Sequence, residues 1–162
     1  MTQDERLEYL IRYLLAERRE YAGMAIPGSA DERRRLLRAL MNVRTPEPVS
    51  AEFLAVQDEY LRERLTERGV QRVEDLTPVE PGICLWQGDI TTLSADGIVN
   101  AANSGMTGCY VPCHGCIDNA IHTYAGVQLR LECARIMAAQ GHEEPTGETK
   151  MTPAYGLASR YV

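Results

Sequence analysis

Three of the chain's five cysteines lie within the eight residues from Cys109 to Cys116, in the segment G-C-Y-V-P-C-H-G-C, together with His114. Such a density of soft ligands around glycine and proline is typical of a divalent metal site, most often zinc. A short apolar run, Ile98–Val99, leads into N-A-A-N before this loop, and I-D-N-A-I-H (Ile117–His122) follows it. A strand, a polar loop and a helix start predict an α/β protein with a ligand site at the loop. We therefore expect the metal to serve catalysis or substrate binding rather than structure.

The loop offers four candidate ligands, which suffice for either kind of zinc site: three protein ligands leave an open position, and four close it. Cys113 and His114 are adjacent, and neighbouring side chains diverge in an extended backbone. Cys109, His114 and Cys116 instead form a C-x4-H-x-C set that a tight Pro/Gly loop can bring together. Three such ligands with a vacant position favour zinc over magnesium or calcium. We interpret Cys113 as a spare cysteine.

Two other interpretations of the cysteines stay open. Cys113 and Cys116 also form a C-x-x-C motif, which is typical of thiol–disulfide chemistry where it opens a helix. Alternatively, the cysteines are simply packed in the interior. Stoichiometric zinc would favour the metal site, whereas a measured reduction potential without zinc would favour the redox motif.

Other polar residues are candidates for ligand binding. Asp89 follows a predicted strand, so its carboxylate is either a ligand acceptor or a turn or cap aspartate, the commoner role. Asn100 and Asn103 flank two alanines, where their amides either stabilise turns or bond a ligand that approaches the backbone. Asp118 is a helix N-cap or a polar site residue. His122 is most simply a packing histidine or a support for the site.

The chain divides near Pro78–Gly82, where prolines and glycine interrupt any regular element. The segment before it, residues 1–80, has apolar residues at the i, i+3, i+4 spacing of three amphipathic helices. Ser29 (in an S-x-x-E capping box with Glu32) and Ser50 are predicted N-caps, and Gly69 lies past the third helix. The predicted buried stripes are Leu7, Leu10, Ile11, Leu14 and Leu15; Leu36, Leu37, Leu40 and Met41; and Phe53, Leu54, Tyr60, Leu61 and Leu65.

After the division, residues 81–162 have the pattern of a domain with strands and helices. Short strands are predicted at Ile83–Trp86 and Gly97–Val99, and a further strand is predicted to begin at Tyr161. Helices are predicted at Ile117–Tyr124 and Val127–Ala139, the second with Leu131, Ala134 and Met137 facing inward and Gly141 at its end.

Composition excludes several classes of protein. The formal net charge of −6 argues against broad binding to a nucleic-acid backbone, which needs a basic face. No run approaches the roughly 18 apolar residues of a membrane span, and Met1 does not open a signal segment. The crowding of cysteines in one loop favours thiolate chemistry in a reducing compartment over a disulfide framework. A cytoplasmic protein without membrane or direct nucleic-acid partners is the expectation.

Three motifs resemble the macrodomain family of ADP-ribose-binding modules: G-D-I-T (Gly88–Thr91), I-V-N-A-A-N-S (Ile98–Ser104) and I-D-N-A-I-H (Ile117–His122). The cysteine loop stands where ordinary macrodomains have a glycine run, and it resembles the zinc-dependent macrodomains of bacteria, which are protein-ADP-ribose hydrolases. The resemblance implies an α/β fold, a three-layer α/β/α macrodomain in residues 81–162, preceded by a helical N-terminal extension in residues 1–80. Because family members continue past the position of Val162 with further strands and a second glycine-rich loop, we expect the macrodomain to be incomplete at its C-terminus.

The resemblance implies a zinc-dependent hydrolase that removes ADP-ribose from mono-ADP-ribosylated proteins. Its partners would be the ADP-ribosylated protein substrate and ADP-ribose. The alternatives are a non-catalytic ADP-ribose-binding module and an inactive truncated fragment.

The family's site residues also transfer to this chain. Asp89 would accept a hydrogen bond from the adenine amine, Ile90 would donate its backbone N–H, and Asn103 would hold the distal ribose. The backbone of Cys116, Ile117 and Asp118 would line the diphosphate, as a helix amino terminus suits an anion. Zn²⁺ would bind Cys109, His114 and Cys116.

Overall fold

Three amphipathic helices form the first part of the chain in the computed structural model, which describes residues 1–162. They are α1 (Gln3–Ala16), α2 (Ala30–Val43) and α3 (Ala51–Arg68). Their apolar faces meet in one core, which confirms the predicted helices and most of their buried stripes. The buried members are Leu7, Leu10, Ile11, Leu14, Leu37, Leu40, Met41, Phe53, Tyr60 and Leu61, with Val127 from a later helix. The predicted members Leu15, Leu36 and Leu54 lie half-buried at the edge of this core, and Leu65 is half-buried outside it.

The helix ends follow the predicted capping residues with one difference. Ser29 and Ser50 each accept a backbone N–H from the residue three positions on, at 3.3 and 3.0 Å. Gly69 closes α3 at φ +80°, a conformation that favours glycine. The predicted capping box at Ser29 is incomplete, because the Glu32 carboxylate accepts the Ser29 hydroxyl rather than its backbone N–H.

The strands are shorter than the sequence suggested. β1 (Gln71–Arg72) pairs in parallel with β4 (Leu93–Ser94), and β2 (Pro78–Glu80) pairs antiparallel with β3 (Ile83–Cys84). The prediction of one strand over Ile83–Trp86 was wrong in extent: pairing stops at Cys84, and Leu85 is 85% exposed. No strand forms over Gly97–Val99 either; Gly97 makes a single bridge to Tyr161 and Val99 is 83% exposed.

The second part of the chain packs around two consecutive helices, α4 (Ile117–Ala125) and α5 (Val127–Gln140), as predicted. Gly141 ends α5 in the left-handed conformation. The inward face of α5 is different from the one predicted: Leu131, Ala134 and Met137 are half-buried at most. The buried residues of α5 are Val127, Leu129, Arg130 and Cys133. The second core contains Ile98, Ile121, Ala125, Leu129, Cys133, Ala154 and Leu157.

Tyr161 and Val162 run between two extended segments, which supports the prediction that a strand begins there. On one side, the backbone N–H of Tyr161 donates to Asp96 and its carbonyl accepts from Ile98. On the other side, Val162 and Thr152 exchange two backbone hydrogen bonds of 2.8 and 3.0 Å.

The structure confirms the predicted fold class, a mixture of helices and strands. The three-layer arrangement of the sheet and helices, and the division of the chain between residues 80 and 81, remain predictions. Each sheet has two strands. Helix α2 packs directly on α4, so residues from both sides of the predicted division share an interface. None of the helices combines the length and the apolarity needed to cross a lipid bilayer.

Candidate metal centre

The cysteine loop brings three of its four candidate ligands together. The ligand atoms of Cys109, His114 and Cys116 all lie within 4.8 Å of one another, and Cys109 Sγ is 3.5 Å from His114 Nδ1. The two cysteines are half-buried and the histidine is exposed, so the cluster is open to solvent on one side. Two sulfurs and one imidazole nitrogen are a donor set suited to zinc, and an accessible face leaves room for a fourth, non-protein ligand. The residues present therefore fit the predicted metal.

Local backbone geometry produces this convergence. Gly108 stands at φ +89°, and a side chain there would meet the His122 ring at 2.9 Å, so glycine is required at the entry of the loop. At its exit Cys116 is the N-cap of α4, where its Sγ accepts the Asn119 N–H at 3.4 Å. A helix amino terminus favours negative charge and so suits a thiolate ligand. The alternative of Asp118 as N-cap is wrong, because Cys116 occupies that position.

Cys113 faces away from the three ligands, towards α2. Its backbone N–H donates to Asn42 Oδ1 at 2.9 Å, and its Sγ lies 3.5 Å from the Arg35 carbonyl oxygen. It is also one of three non-glycine residues with positive φ, at +53°. This placement supports its interpretation as a spare cysteine and gives no support to a Cys113–Cys116 redox pair.

Side chains far away in sequence hold the loop, and sequence reasoning missed them. The Arg38 guanidinium donates to Asn119 Oδ1, at 2.8 and 3.2 Å, and to the His114 carbonyl at 3.0 Å. Asn119, which is fully buried, donates in turn to the Val111 carbonyl at 3.0 Å. The sequence offered only an arginine beside a predicted apolar stripe and an asparagine within I-D-N-A-I-H, and neither pattern identifies a contact between them.

Arg130 connects the same loop to the end of α2. Its Nε donates to the Thr107 carbonyl at 2.8 Å, just before the loop. Its Nη1 donates to the carbonyls of Met41, Asn42 and Arg44 at 2.9, 2.9 and 2.6 Å. A buried guanidinium thus satisfies carbonyl groups that a helix carboxyl terminus leaves free. Burial lowers the pKa of Arg130.

A buried polar cluster lies behind the loop. Asn100 Nδ2 donates to Asp118 Oδ1 at 2.8 Å, and His122 Nε2 lies 3.5 Å from the same oxygen. Burial raises the pKa of Asp118, while burial and then the nearby Arg130 lower the pKa of His122 to about 3. His122 is therefore neutral near pH 7, and its contact with Asp118 is not an ion pair. The Nδ1 of His122 and the Oδ1 of Asn100 are buried without a partner.

The predicted ligand-binding residues do not share one cavity. A cleft of about 540 Å³ is lined by Asn100, Asn103 and His122 on one side and by residues 144–152 on the other. Asn103 also shapes the cysteine loop, since its Nδ2 donates to the Gly108 carbonyl at 3.2 Å. Asp89 and Ile90 lie outside this cleft, as do the three metal ligands and the backbone at 116–118.

Asp89 has a structural role in the conformation described. It caps a short 3₁₀ turn, Ile90–Thr92, by accepting the backbone N–H of Thr91 at 3.0 Å. Its other carboxylate oxygen pairs with Arg68 at 3.1 Å, and about half of the side chain is exposed. Asp89 therefore has the commoner role, that of a cap aspartate. The exposed edge of its carboxylate leaves room for a ligand as well.

Sequence comparisons relate the chain to one protein family and to several named proteins. Residues 99–162 match the sequence profile of the Macro domain. The chain is 57% identical over 166 aligned positions to a protein-ADP-ribose hydrolase of Treponema medium, covering 100% of this chain and 64% of that protein. It is 48% identical over 158 positions to a protein-ADP-ribose hydrolase of Staphylococcus aureus (strain COL), covering 97% of this chain and 59% of that protein.

A more distant relative is a probable bifunctional ADP-ribose hydrolase/ADP-ribosyltransferase of Fusarium oxysporum f. sp. cubense. It is 39% identical over 138 positions, which cover 78% of this chain and 23% of that protein. The chain thus spans about three fifths of the length of the bacterial relatives. Residues 99–162 are thus similar in sequence to the Macro domain family. Proteins named protein-ADP-ribose hydrolases are homologues of the chain over almost its whole length.

Proposed function

We propose that the chain provides the zinc-binding part of a hydrolase that removes ADP-ribose from mono-ADP-ribosylated proteins. The observation that carries this proposal is the convergence of Cys109, His114 and Cys116 in a sequence homologous to protein-ADP-ribose hydrolases. A module that only binds ADP-ribose has little need of a metal site open to solvent. Residues 1–80 would be a helical extension of the macrodomain that begins near residue 81.

Zinc in this centre would supply a Lewis acid that polarises or orients an oxygen of the ligand, or lowers the pKa of a bound water. The protein's own groups would bind and orient the nucleotide. The free backbone N–H groups at the amino terminus of α4, at Cys116, Ile117 and Asp118, suit the diphosphate. Asn103, whose side chain donates to the Gly108 carbonyl at the start of the loop, would hold the distal ribose.

The polar groups behind the loop would support this arrangement rather than exchange protons with the ligand. Asp118 and His122 are 4% and 5% exposed, and each faces the other or Asn100. Reaction at the centre would thus take place on its solvent-facing side, where His114 lies.

The test is release of ADP-ribose from a mono-ADP-ribosylated protein by the chain loaded with zinc. The comparison samples are the same chain treated with a chelator, the Cys109→Ser variant and, as a matched control, the Cys113→Ser variant. We expect release by the loaded chain and by Cys113→Ser only. Tight binding of ADP-ribose with no release by any sample would instead identify a binding module, and equal release after chelation would refute the role of zinc.

A further inference from the structure

Helix α2 packs one of its faces against the cysteine loop (Gly108–Cys116). Arg38 and Asn42 are four residues apart and so share a face of the helix. Asn42 accepts the Cys113 N–H, and Arg38 donates to the His114 carbonyl and the Asn119 side chain. The helical segment, which sequence reasoning left without a chemical role, thus contacts the backbone on both sides of the peptide bond between Cys113 and His114.

Beyond the contacts of Asn103 and Arg130 at its start, the loop has few other restraints. Val111, Pro112, His114 and Gly115 are exposed, and Tyr110 packs only its ring against the Arg130 guanidinium, 4.5 Å from the ring centroid. Within it, the His114 N–H donates to the Val111 carbonyl at 3.2 Å across a turn that has Cys113 at positive φ. A non-glycine residue in that conformation is strained and persists only where its surroundings enforce it. Those surroundings are Asn42, Arg38 and Asn119.

From these contacts we propose that Arg38 is a positioning residue for the metal ligands; this inference rests on the zinc centre proposed above. Its planar guanidinium bonds two acceptors at once: the carbonyl of the ligand His114 and the side chain of Asn119, which anchors Val111. The backbone N–H of Asn119 also donates to the sulfur of Cys116. Arg38 therefore restrains one ligand directly and a second through Asn119.

Loss of the guanidinium should lower zinc affinity without removing a ligand. Groups that orient metal ligands commonly change metal affinity by about 10–100-fold when mutated. Lysine is not an adequate replacement, because one ammonium on a flexible stem does not reproduce the fork that reaches two acceptors. Arg35 is the matched control: it lies on the same helix, and its side chain makes no hydrogen bond or ion pair.

The experiment uses the full chain and three variants, Arg38→Met, Arg38→Lys and Arg35→Met. The zinc dissociation constant is measured by competition with a chromophoric chelator, and ligand geometry by the absorption spectrum of the Co²⁺ form. We expect Arg38→Met to raise the dissociation constant about 10–100-fold and change the Co²⁺ spectrum. Arg38→Lys should lose part of the affinity, and Arg35→Met should match the wild type.

Unchanged affinity and spectrum in Arg38→Met, or equal weakening in Arg35→Met, would overturn the positioning role. Helical circular dichroism checks that each variant folds. If Arg38→Met does not fold, the Arg38→Lys variant decides the question: a zinc affinity equal to that of the wild type would overturn the proposal. A wild-type chain that binds no zinc would reject the metal centre itself, which separates failure of the proposed function from failure of this inference.

Discussion

Asp89 has a structural role in the fold and is also a predicted adenine-binding residue. It caps the turn at Thr91 and pairs with Arg68, whose guanidinium also lies 3.6 Å from the centroid of the Tyr124 ring. We predict that Asp89→Ala lowers the free energy of unfolding by about 1 kcal/mol through loss of the cap. If the exposed edge binds the adenine amine, ADP-ribose affinity should also fall by about 1–3 kcal/mol.

Denaturant unfolding and calorimetric titration measure these two effects separately. Asp89→Asn is the matched variant, because it keeps an oxygen for the Thr91 N–H but loses the charge. Zinc content should stay unchanged in both variants. Wild-type affinity for ADP-ribose in both would leave Asp89 as a cap residue only.

His122 makes stability depend on pH. Burial lowers its pKa to about 3 in the folded chain, whereas an unfolded histidine titrates near 6.5. Below about pH 6.5 the unfolded chain binds a proton that the folded chain does not, so this contribution favours unfolding increasingly as the pH falls towards 3. Above about pH 6.5 both forms are neutral and the penalty disappears.

The prediction is checked by measuring the free energy of unfolding from pH 7 to pH 4 in the presence of a chelator. In His122→Gln the decrease towards acid pH should be smaller than in the wild type by a few kcal/mol. His142→Gln, which alters an exposed histidine, is the control and should follow the wild type. Identical profiles for wild type and His122→Gln would contradict the account.

Between elements, Gln57 connects α3 to the start of α5. It is fully buried; its Oε1 accepts the Val127 N–H at 3.0 Å and its Nε2 donates to Gln128 at 2.6 Å. We predict that Gln57→Leu lowers the free energy of unfolding by about 1–3 kcal/mol, because a buried N–H at the start of α5 loses its acceptor. Denaturant unfolding measures the change. Gln87→Leu, at an exposed position, is the control and should leave the free energy of unfolding unchanged. An unchanged free energy of unfolding in Gln57→Leu would show that water replaces the amide.

The elements also show what the sequence could predict. Helix stripes and the capping serines depend on neighbours within a few residues, so local patterns identified all five α-helices. The three metal ligands were predicted because they lie in one short loop. The strands at 83–86 and 97–99 were misjudged because a strand's extent depends on a partner elsewhere in the chain. Arg38 and Asn119, 81 positions apart, were missed for the same reason.

At the scale of the whole molecule, polar contacts join the two cores. Asn42 Nδ2 donates to Thr123 Oγ1 at 2.9 Å, and Arg130 bonds the end of α2 and the residue before the metal loop. Because the loop is attached to α2, ligand binding there should stabilise the first three helices as well. We predict that zinc raises the midpoint of thermal unfolding, measured by the helical circular dichroism signal. At a free zinc concentration of one hundred times the dissociation constant, the stabilisation should be about 2.7 kcal/mol. The Cys109→Ser variant should show no shift, and a shift of equal size in it would indicate binding elsewhere.

We propose that Cys109, His114 and Cys116 form a zinc centre from which Cys113 is excluded. Metal analysis of the purified chain after equilibrium dialysis against zinc tests it most directly, with Cys109→Ser, His114→Ala, Cys116→Ser and Cys113→Ser measured alongside. The wild type and Cys113→Ser should each bind about one zinc per chain, and the other three variants should lose most of it. A wild-type chain without zinc, or a Cys113→Ser variant that loses zinc while Cys109→Ser keeps it, would contradict the account.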